Sequence, residues 1–452
     1  MKRNKETKLS KFWRELSPSR KLILGFLFAI VLGSLLLKLP FSLEKNQKLT
    51  ILDSFFTIVS AICVTGLSVI DVSKVLSPIG KGIVLAFIQL GGLGVMTFST
   101  MLFVIIGSRM SYMTRELLKE ERNSDSTGRI TIFIRAILLT VFFIEFFGAL
   151  ILYFEFKKIM PAEEAVYYGI FHSISAFCNA GFSLFSNNLE NFKSNVVINI
   201  TISYLIILGG MGFAVISSFI HVIRKGENRF NLTAKISLTM GIALTFIGTF
   251  LFLLLEFNNV KTIGDMSFFE KVMASFFQSV TLRTAGFNTV SLDGIKPATI
   301  FISYILMFIG ASPGSTGGGI KTTTFAILIF YIIGILRKKE YIELFNRRID
   351  WEIMNKALAI IIISMVYISF VTVTILTLEN FPLEKVLYEV ISAFATVGLS
   401  MSLTPQLGAI SKLIIIFTMF VGRLGPLTIA LAFTEQKKRS SLKFPKEDIL
   451  IG

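Results

Sequence analysis

Four short runs in this chain each carry one glycine in a setting of small, neutral residues: 60–68 (SAICVTGLS), 175–183 (SAFCNAGFS), 280–288 (VTLRTAGFN) and 392–400 (SAFATVGLS). Their turning points are Val64-Thr65-Gly66, Asn179-Ala180-Gly181, Thr284-Ala285-Gly286 and Thr396-Val397-Gly398. Glycine admits the left-handed or extended backbone that turns carbonyl oxygens toward an axis. Four sets of carbonyls around one axis can replace the hydration shell of a monovalent cation. No ring of acidic side chains accompanies them, which argues against a calcium or magnesium site. One such run would carry no weight, because helix-packing glycines are common. Four in one register, roughly 105 to 115 residues apart and in matching apolar frames, exclude that reading.

Such loops need elements that hold them at membrane depth. Hydrophobic residues make up 53% of the chain and charged residues 16%, more apolar surface than a soluble protein can bury. Each glycine run sits between apolar segments of bilayer-spanning length. The pattern predicts first helices over 22–39, 130–154, 236–257 and 357–378. Short half-spanning segments start near 52, 167, 269 and 386, and second helices cover 79–106, 196–223, 299–336 and 413–433. The half-span helices aim their partially negative C-terminal ends at the centre, which favours a cation. An even number of spans precedes each copy, so the repeats are parallel and not inverted. The expected fold is an all-α polytopic membrane protein. Four parallel helix–pore loop–helix repeats stand in pseudo-fourfold order around a central ion pore.

Charge sets the orientation. The net charge of +16 concentrates at the N-terminus (Lys2, Arg3, Lys5, Lys8, Lys11, Arg14, Arg20, Lys21) and between repeats, whereas connections within repeats are mixed (Glu155, Lys157, Lys158, Glu163, Glu164). This is the positive-inside pattern, not a nucleic-acid surface, and it puts both termini in the cytoplasm. The first apolar segment has no small-residue cleavage site and reads as a spanning helix, not a removed signal. The organisation expected is a basic N-terminus (1–21), repeats at 22–106, 130–223, 236–336 and 357–433, cytoplasmic linkers at 107–129, 224–235 and 337–356, and a cytoplasmic tail (434–452). No soluble domain of useful size remains.

The second helices share glycine motifs: QLGGLGVMT (89–97), ILGGMGF (207–213), FIGASPGSTGGGIKTTT (308–324) and FVGRLGPLT (420–428). In the first two copies close helix packing explains the glycines. The third holds Gly310, Ala311, Ser312, Pro313, Gly314, Ser315, Thr316, Gly317, Gly318 and Gly319, which no continuous helix tolerates, and is expected to be a flexible break beneath the loops. Gly314, Gly319, Lys321 and Thr322 look superficially like a phosphate-binding loop. Ile320 interrupts the spacing and no strand precedes it, so nucleotide binding is rejected.

Four charges stand in apolar surroundings. Arg423 acts either as a fixed barrier on a cation path or in a structural ion pair. Arg283 reads as structural, behind the third loop. Glu389 reads as a helix-dipole partner at the start of the fourth short helix. Glu145 is either a proton-coupling acid or a hydrogen-bonding group packed on a short helix. Cys63 and Cys178, three residues before their glycines, read as apolar filler. His172 and His221 are expected on the outer and inner sides respectively, so neither a transition-metal centre nor a catalytic cluster is expected.

The loops, above all TLRTAGFN at 281–288, resemble the selectivity loops of the Trk/Ktr/HKT superfamily of potassium transporters, over about residues 22–433. Without an additional N-terminal helix pair the chain looks like the KtrB branch more than the TrkH branch. The resemblance implies potassium as the main permeant ion at the four loops. It also implies an intramembrane gate at Gly310 to Gly319 and a pore-lining role for Arg423. No cofactor is expected in this chain. Potassium is the transported ion, and sodium activation stays open. The implied partners are a second copy of the chain in a homodimer, membrane lipid, and a cytosolic nucleotide-binding ring of the KtrA kind. The basic linkers and the tail at 437–452 would serve as docking surfaces. The implied location is the bacterial cell membrane. The alternative is a proton- or sodium-coupled cation symporter of the TrkH type.

Overall fold

The computed structural model describes residues 18–94, 130–212, 215, 218, 230, 232–338 and 341–425. The inter-repeat stretch 107–129, most of 224–235, His221 and the tail lie outside the described residues.

Thirteen helices of twelve residues or more stand among the described residues. A long helix, a short helix and a further helix follow one another as α1 (Pro18–Lys38), α2 (Ile51–Ile62) and α3 (Pro78–Leu93), then as α4 (Ile130–Phe156), α5 (Ala162–Phe177) and α6 (Val196–Gly210). Next come α7 (Leu232–Glu256), α8 (Phe268–Thr281), α9 (Pro297–Phe308) and α10 (Thr322–Leu336). The last group is α11 (Trp351–Leu378), α12 (Leu383–Phe394) and α13 (Ala409–Leu424).

Local chemistry starts these helices where the chain turns back. Thr50 caps α2 by accepting from the Asp53 amide, and Ser267 forms a reciprocal capping box with Glu270 at α8. Ser77 caps α3, with Pro78 in the first turn, where its missing N–H costs nothing.

Burial is distributed as a bilayer demands. The short helices α2, α8 and α12 and the loops after them form the core, with their serines and threonines bonded to backbone carbonyls. The long helices present phenylalanine outward: Phe142 is 64% exposed, Phe370 69% and Phe246 73%. Water would penalise such faces, and hydrocarbon does not. Among the described residues three helices are long and apolar enough to cross a membrane, Ile137–Phe156, Leu232–Glu256 and Trp351–Leu378.

The packing order closes on itself. Each short helix packs on the long helix before it, and α3 packs on α5, α6 on α8, α9 on α12 and α13 back on α2. Side chains stitch three of these seams. Tyr167 donates to the Pro78 carbonyl (3.0 Å), Tyr304 to the Glu384 carbonyl (2.8 Å), and Lys412 pairs with Asp53 (2.8 Å).

Two expectations need correction. The helices expected over 79–106, 196–223 and 413–433 are not continuous. They stop at Leu93, Gly210 and Leu424, beside Gly94, Gly212 and Gly425 at positive φ. Among the described residues a helix therefore ends at the shared motif in all four copies, where an interruption was foreseen only between α9 and α10. The all-α expectation is also departed from in the 337–356 linker. There Ile342–Leu344 and Arg347–Ile349 pair as a hairpin turning at Phe345 and Asn346, both left-handed. Helix α11 consequently begins at Trp351, not at 357.

Candidate functional site

The loop after each short helix repeats one backbone conformation. Two residues before each glycine, Val64, Asn179, Thr284 and Thr396 lie at φ +56°, +59°, +72° and +51°. Gly66, Gly181, Gly286 and Gly398 follow at +94°, +67°, +79° and +91°. The left-handed region is unfavourable for any residue with a Cβ and worst for β-branched ones, at a cost of roughly 1–3 kcal/mol each. Hydrogen bonds to the preceding helix hold the strain. The amides of Thr65, Ala180 and Val397 donate to the carbonyls of Ser60, Ser175 and Ser392, each at 2.8 Å, and Ala285 donates to Thr281 at 3.0 Å.

The four loops meet. A Cβ on Gly66 would strike the carbonyl oxygen of Ala180, one on Gly181 that of Ala285, one on Gly286 that of Val397, and one on Gly398 that of Thr65. All four approaches are closer than 3.0 Å, with Gly398 the tightest. Each glycine therefore faces the carbonyl of the residue before the next glycine, and the cycle returns to its start. Thr65, Ala180, Ala285 and Val397 lie in that cycle, and Val64, Asn179, Thr284 and Thr396 lie immediately below it.

Different side chains brace each loop from behind. Ser60 and Ser392 hydroxyls accept from the Gly66 (3.1 Å) and Gly398 (3.0 Å) amides. Ser175 donates to the Phe182 carbonyl (2.8 Å) and Thr281 to that of Phe287 (2.5 Å). His172, packed among aromatic rings, bonds Ser183 (3.0 Å) and the Tyr168 carbonyl (2.8 Å). Glu389 is not at a helix start. It lies in the interior of α12, fully buried, and accepts from Ser400 (2.6 Å) and Thr404. It anchors the part of the fourth loop that follows Gly398, and the helix-dipole expectation is corrected.

The layer below the cycle is asymmetric. Gly91, Gly209 and Gly422 press on the carbonyls of Ile62, Phe177 and Phe394, the last residues of α2, α5 and α12, so closely that no Cβ fits. Between α9 and α10 the segment 310–319 instead crosses beneath the cycle. The Ser312 and Thr316 amides donate to Gly210 (3.1 Å) and Gly209 (3.3 Å), and the Thr316 hydroxyl donates to Phe177 (3.3 Å). The Gly318 amide donates to the Thr396 hydroxyl (3.0 Å), and Gly317 abuts Thr284. Gly310 and Ala311 close on Gly318 and Gly319, and Pro313-Gly314-Ser315 forms the outlying turn. Arg423 reaches over from α13 and donates to the carbonyls of Thr316 and Gly91. Lys321, named in the sequence only for a rejected phosphate loop, donates its ammonium to the Gly317 carbonyl (2.7 Å), and Gln89 was not singled out at all. Gln89 donates to both oxygens of Glu145 (3.0 and 3.1 Å) and accepts from Cys178 (3.3 Å), linking a buried carboxyl to the second loop. The Gln89 side chain gave no signal of its pairings, because those partners are 56 and 89 residues away.

Above the cycle opens a polar basin of about 310 Å³ lined by Gly286, Gly398, Ser68, Asn188, Glu190 and Asp293 among others. Burial pushes the Glu190 carboxyl up from its ordinary range, and the nearby Asp293 charge adds to this against a hydrogen bond from Asn288 (2.7 Å).

The model of the family described as TrkH, cation transport protein, matches residues 27–442. The chain belongs to this family. It is a membrane cation transport protein, and not an enzyme. Ktr system potassium uptake protein B of Bacillus subtilis (strain 168) is 37% identical over 441 residues, which cover 97% of this chain and 98% of that protein. The protein of the same name from Vibrio alginolyticus is 37% identical over 434 residues, 96% of this chain and 94% of its own. The crystal structure of the potassium transporter TrkH from Vibrio parahaemolyticus superposes with a TM-score of 0.73 at 17% identity, covering 93% of this chain and 86% of that one, and so shares the fold.

Proposed function

We propose that this chain is the membrane subunit of a bacterial potassium-uptake system and conducts potassium, channel-like, through the cycle of four glycine loops. In this reading the four helix–loop–helix groups stand pseudo-fourfold about one pore. The carbonyls of Val64 to Gly66, Asn179 to Gly181, Thr284 to Gly286 and Thr396 to Gly398 dehydrate the ion. The observation that carries the proposal is the closed glycine-to-carbonyl cycle built on four identically strained backbones. Oxygen ligands presented by backbone, with no carboxylate among them, suit a weakly hydrated monovalent cation. The segment 310–319 then acts as the gate, tied to Thr284 and Thr396 above it and to Arg423 beside it. The basin holding Glu190 and Asp293 concentrates cations at the entrance.

The names of the two Ktr relatives support a multi-subunit system. This chain would then work as a homodimer on a KtrA-like nucleotide-binding ring, with both termini cytoplasmic, no cofactor of its own, and sodium as a candidate activator. Potassium and sodium flux into proteoliposomes, driven by an imposed gradient, tests the proposal. Potassium-preferring flux that Gly286→Ser relaxes is expected. Preference unaltered by Gly286→Ser contradicts it.

One observation favours proton-coupled symport as a second reading, the buried Glu145–Gln89–Cys178 chain behind the second loop. Proton uptake accompanying potassium and abolished in Glu145→Gln would establish it; equal currents in both proteins at all pH values would exclude it.

A further inference from the structure

We infer that the crevice between α6, α7 and α8 is a binding site for a single-chain lipid anion, a fatty acid whose carboxylate pairs with Arg283. The crevice has a volume of about 450 Å³, within the range of roughly 300–1,000 Å³ typical of small-molecule sites. Ile206 and Ile207 of α6, Ile242 and Phe246 of α7, and Phe276 and Val280 of α8 give it apolar walls. Its mouth opens on the lipid side, since Ile242 is 69% and Phe246 73% exposed.

One cation faces this apolar space. Arg283 Nη2 donates to the Thr245 hydroxyl (2.6 Å), while its Nε is buried with no hydrogen-bond partner. No acidic side chain pairs with it among the described residues. A guanidinium carries five donors, and one hydroxyl leaves most of them unmet at membrane depth, where an unpaired charge is costly. A carboxylate satisfies that fork with two parallel bonds, and an acyl chain fills the walls. A phospholipid is a poorer fit, because its headgroup stays at the interface, about 15 Å from the bilayer centre. A fatty acid can enter protonated and uncharged, then ionise against the arginine. Ala311 and Ser312 close the inner end of the crevice, so the occupant touches the segment beneath the glycine cycle. An influence on transport rests on reading that segment as a gate, whereas the binding itself does not.

The test uses palmitate bearing a photoreactive diazirine on its tail, with the full-length protein in proteoliposomes and labelled peptides mapped. Labelling within 232–249 and 268–283 is expected. Excess palmitate should compete at least about tenfold better than its methyl ester, since the ester cannot form the charge-assisted pair. Gly241→Leu should remove this labelling and spare that on α11. A Cβ at this position would lie 3.7 Å from Arg283 Nη1, an ordinary contact, so the backbone there has room for a side chain directed at the crevice. Arg283→Gln should make acid and ester compete equally. Equal competition in the unaltered protein overturns the proposal. So does labelling spread evenly over α4 and α11, or displacement by phospholipid but not by palmitate.

Discussion

The glycine cycle and the layer beneath it obey different rules. In the cycle all four loops carry the same pair of left-handed residues and the same contact from glycine to the next carbonyl. One residue layer below, three second helices end tightly against a short-helix carbonyl, while the segment between α9 and α10 runs across the middle. A site that surrounds one ion from four sides needs four equal contributors. A device that opens and closes needs only one element with two places to be. On the proposed reading, the difference teaches that selectivity and gating make separate demands on a repeated sequence, and that only the first requires each copy to be alike.

The comparison can be broken most severely within the cycle. Gly398→Ser drives a side chain into the Thr65 carbonyl and strains a left-handed residue, so near-complete loss of potassium preference is expected in flux assays. Gly286→Ser, with more room, should show a smaller loss. Below the cycle the effects are expected to run the other way. Deleting part of 310–319 should raise basal flux, and Arg423→Ala, which frees the Thr316 and Gly91 carbonyls, should raise it about tenfold, the equivalent of a barrier lower by about 1.4 kcal/mol. A folded but silent Arg423→Ala protein would remove the barrier role. Behind the fourth loop, Glu389→Ala leaves the Ser400 and Thr404 hydroxyls without their acceptor and should cost about 1–3 kcal/mol, read as a lower unfolding midpoint.

The smallest effect belongs to the entrance. Glu190 holds its proton to higher pH than an ordinary carboxyl, so it is charged above that raised value and neutral below it. Acidifying the outer side should therefore reduce flux, beginning above the usual carboxylate range, by about two- to threefold, the scale of a screened surface charge. Glu190→Gln should flatten that part of the pH profile.

Much of this layout was legible in the residues. Four glycines in one register, each after a short apolar helix, pointed to loops that meet, and proline with five glycines pointed to a break at 310–319. The remainder depended on contacts that periodicity does not carry. Gly94, Gly212 and Gly425 end their helices by adopting positive φ, which a glycine inside an apolar run does not announce. Glu389 looked like a dipole partner because the short helix actually starts at Leu383, six residues earlier. The Asp53–Lys412 pair that closes α13 on α2 joins residues 359 positions apart, and nothing local marks either as the other's partner.

The central claim is that one ion sits amid the carbonyls of Thr65, Ala180, Ala285 and Val397. Anomalous diffraction from crystals of the transport-active protein grown in rubidium addresses it directly. The account predicts a peak on the axis of the four glycines that Gly398→Ser abolishes. Rubidium bound elsewhere, with that axis empty, would contradict it.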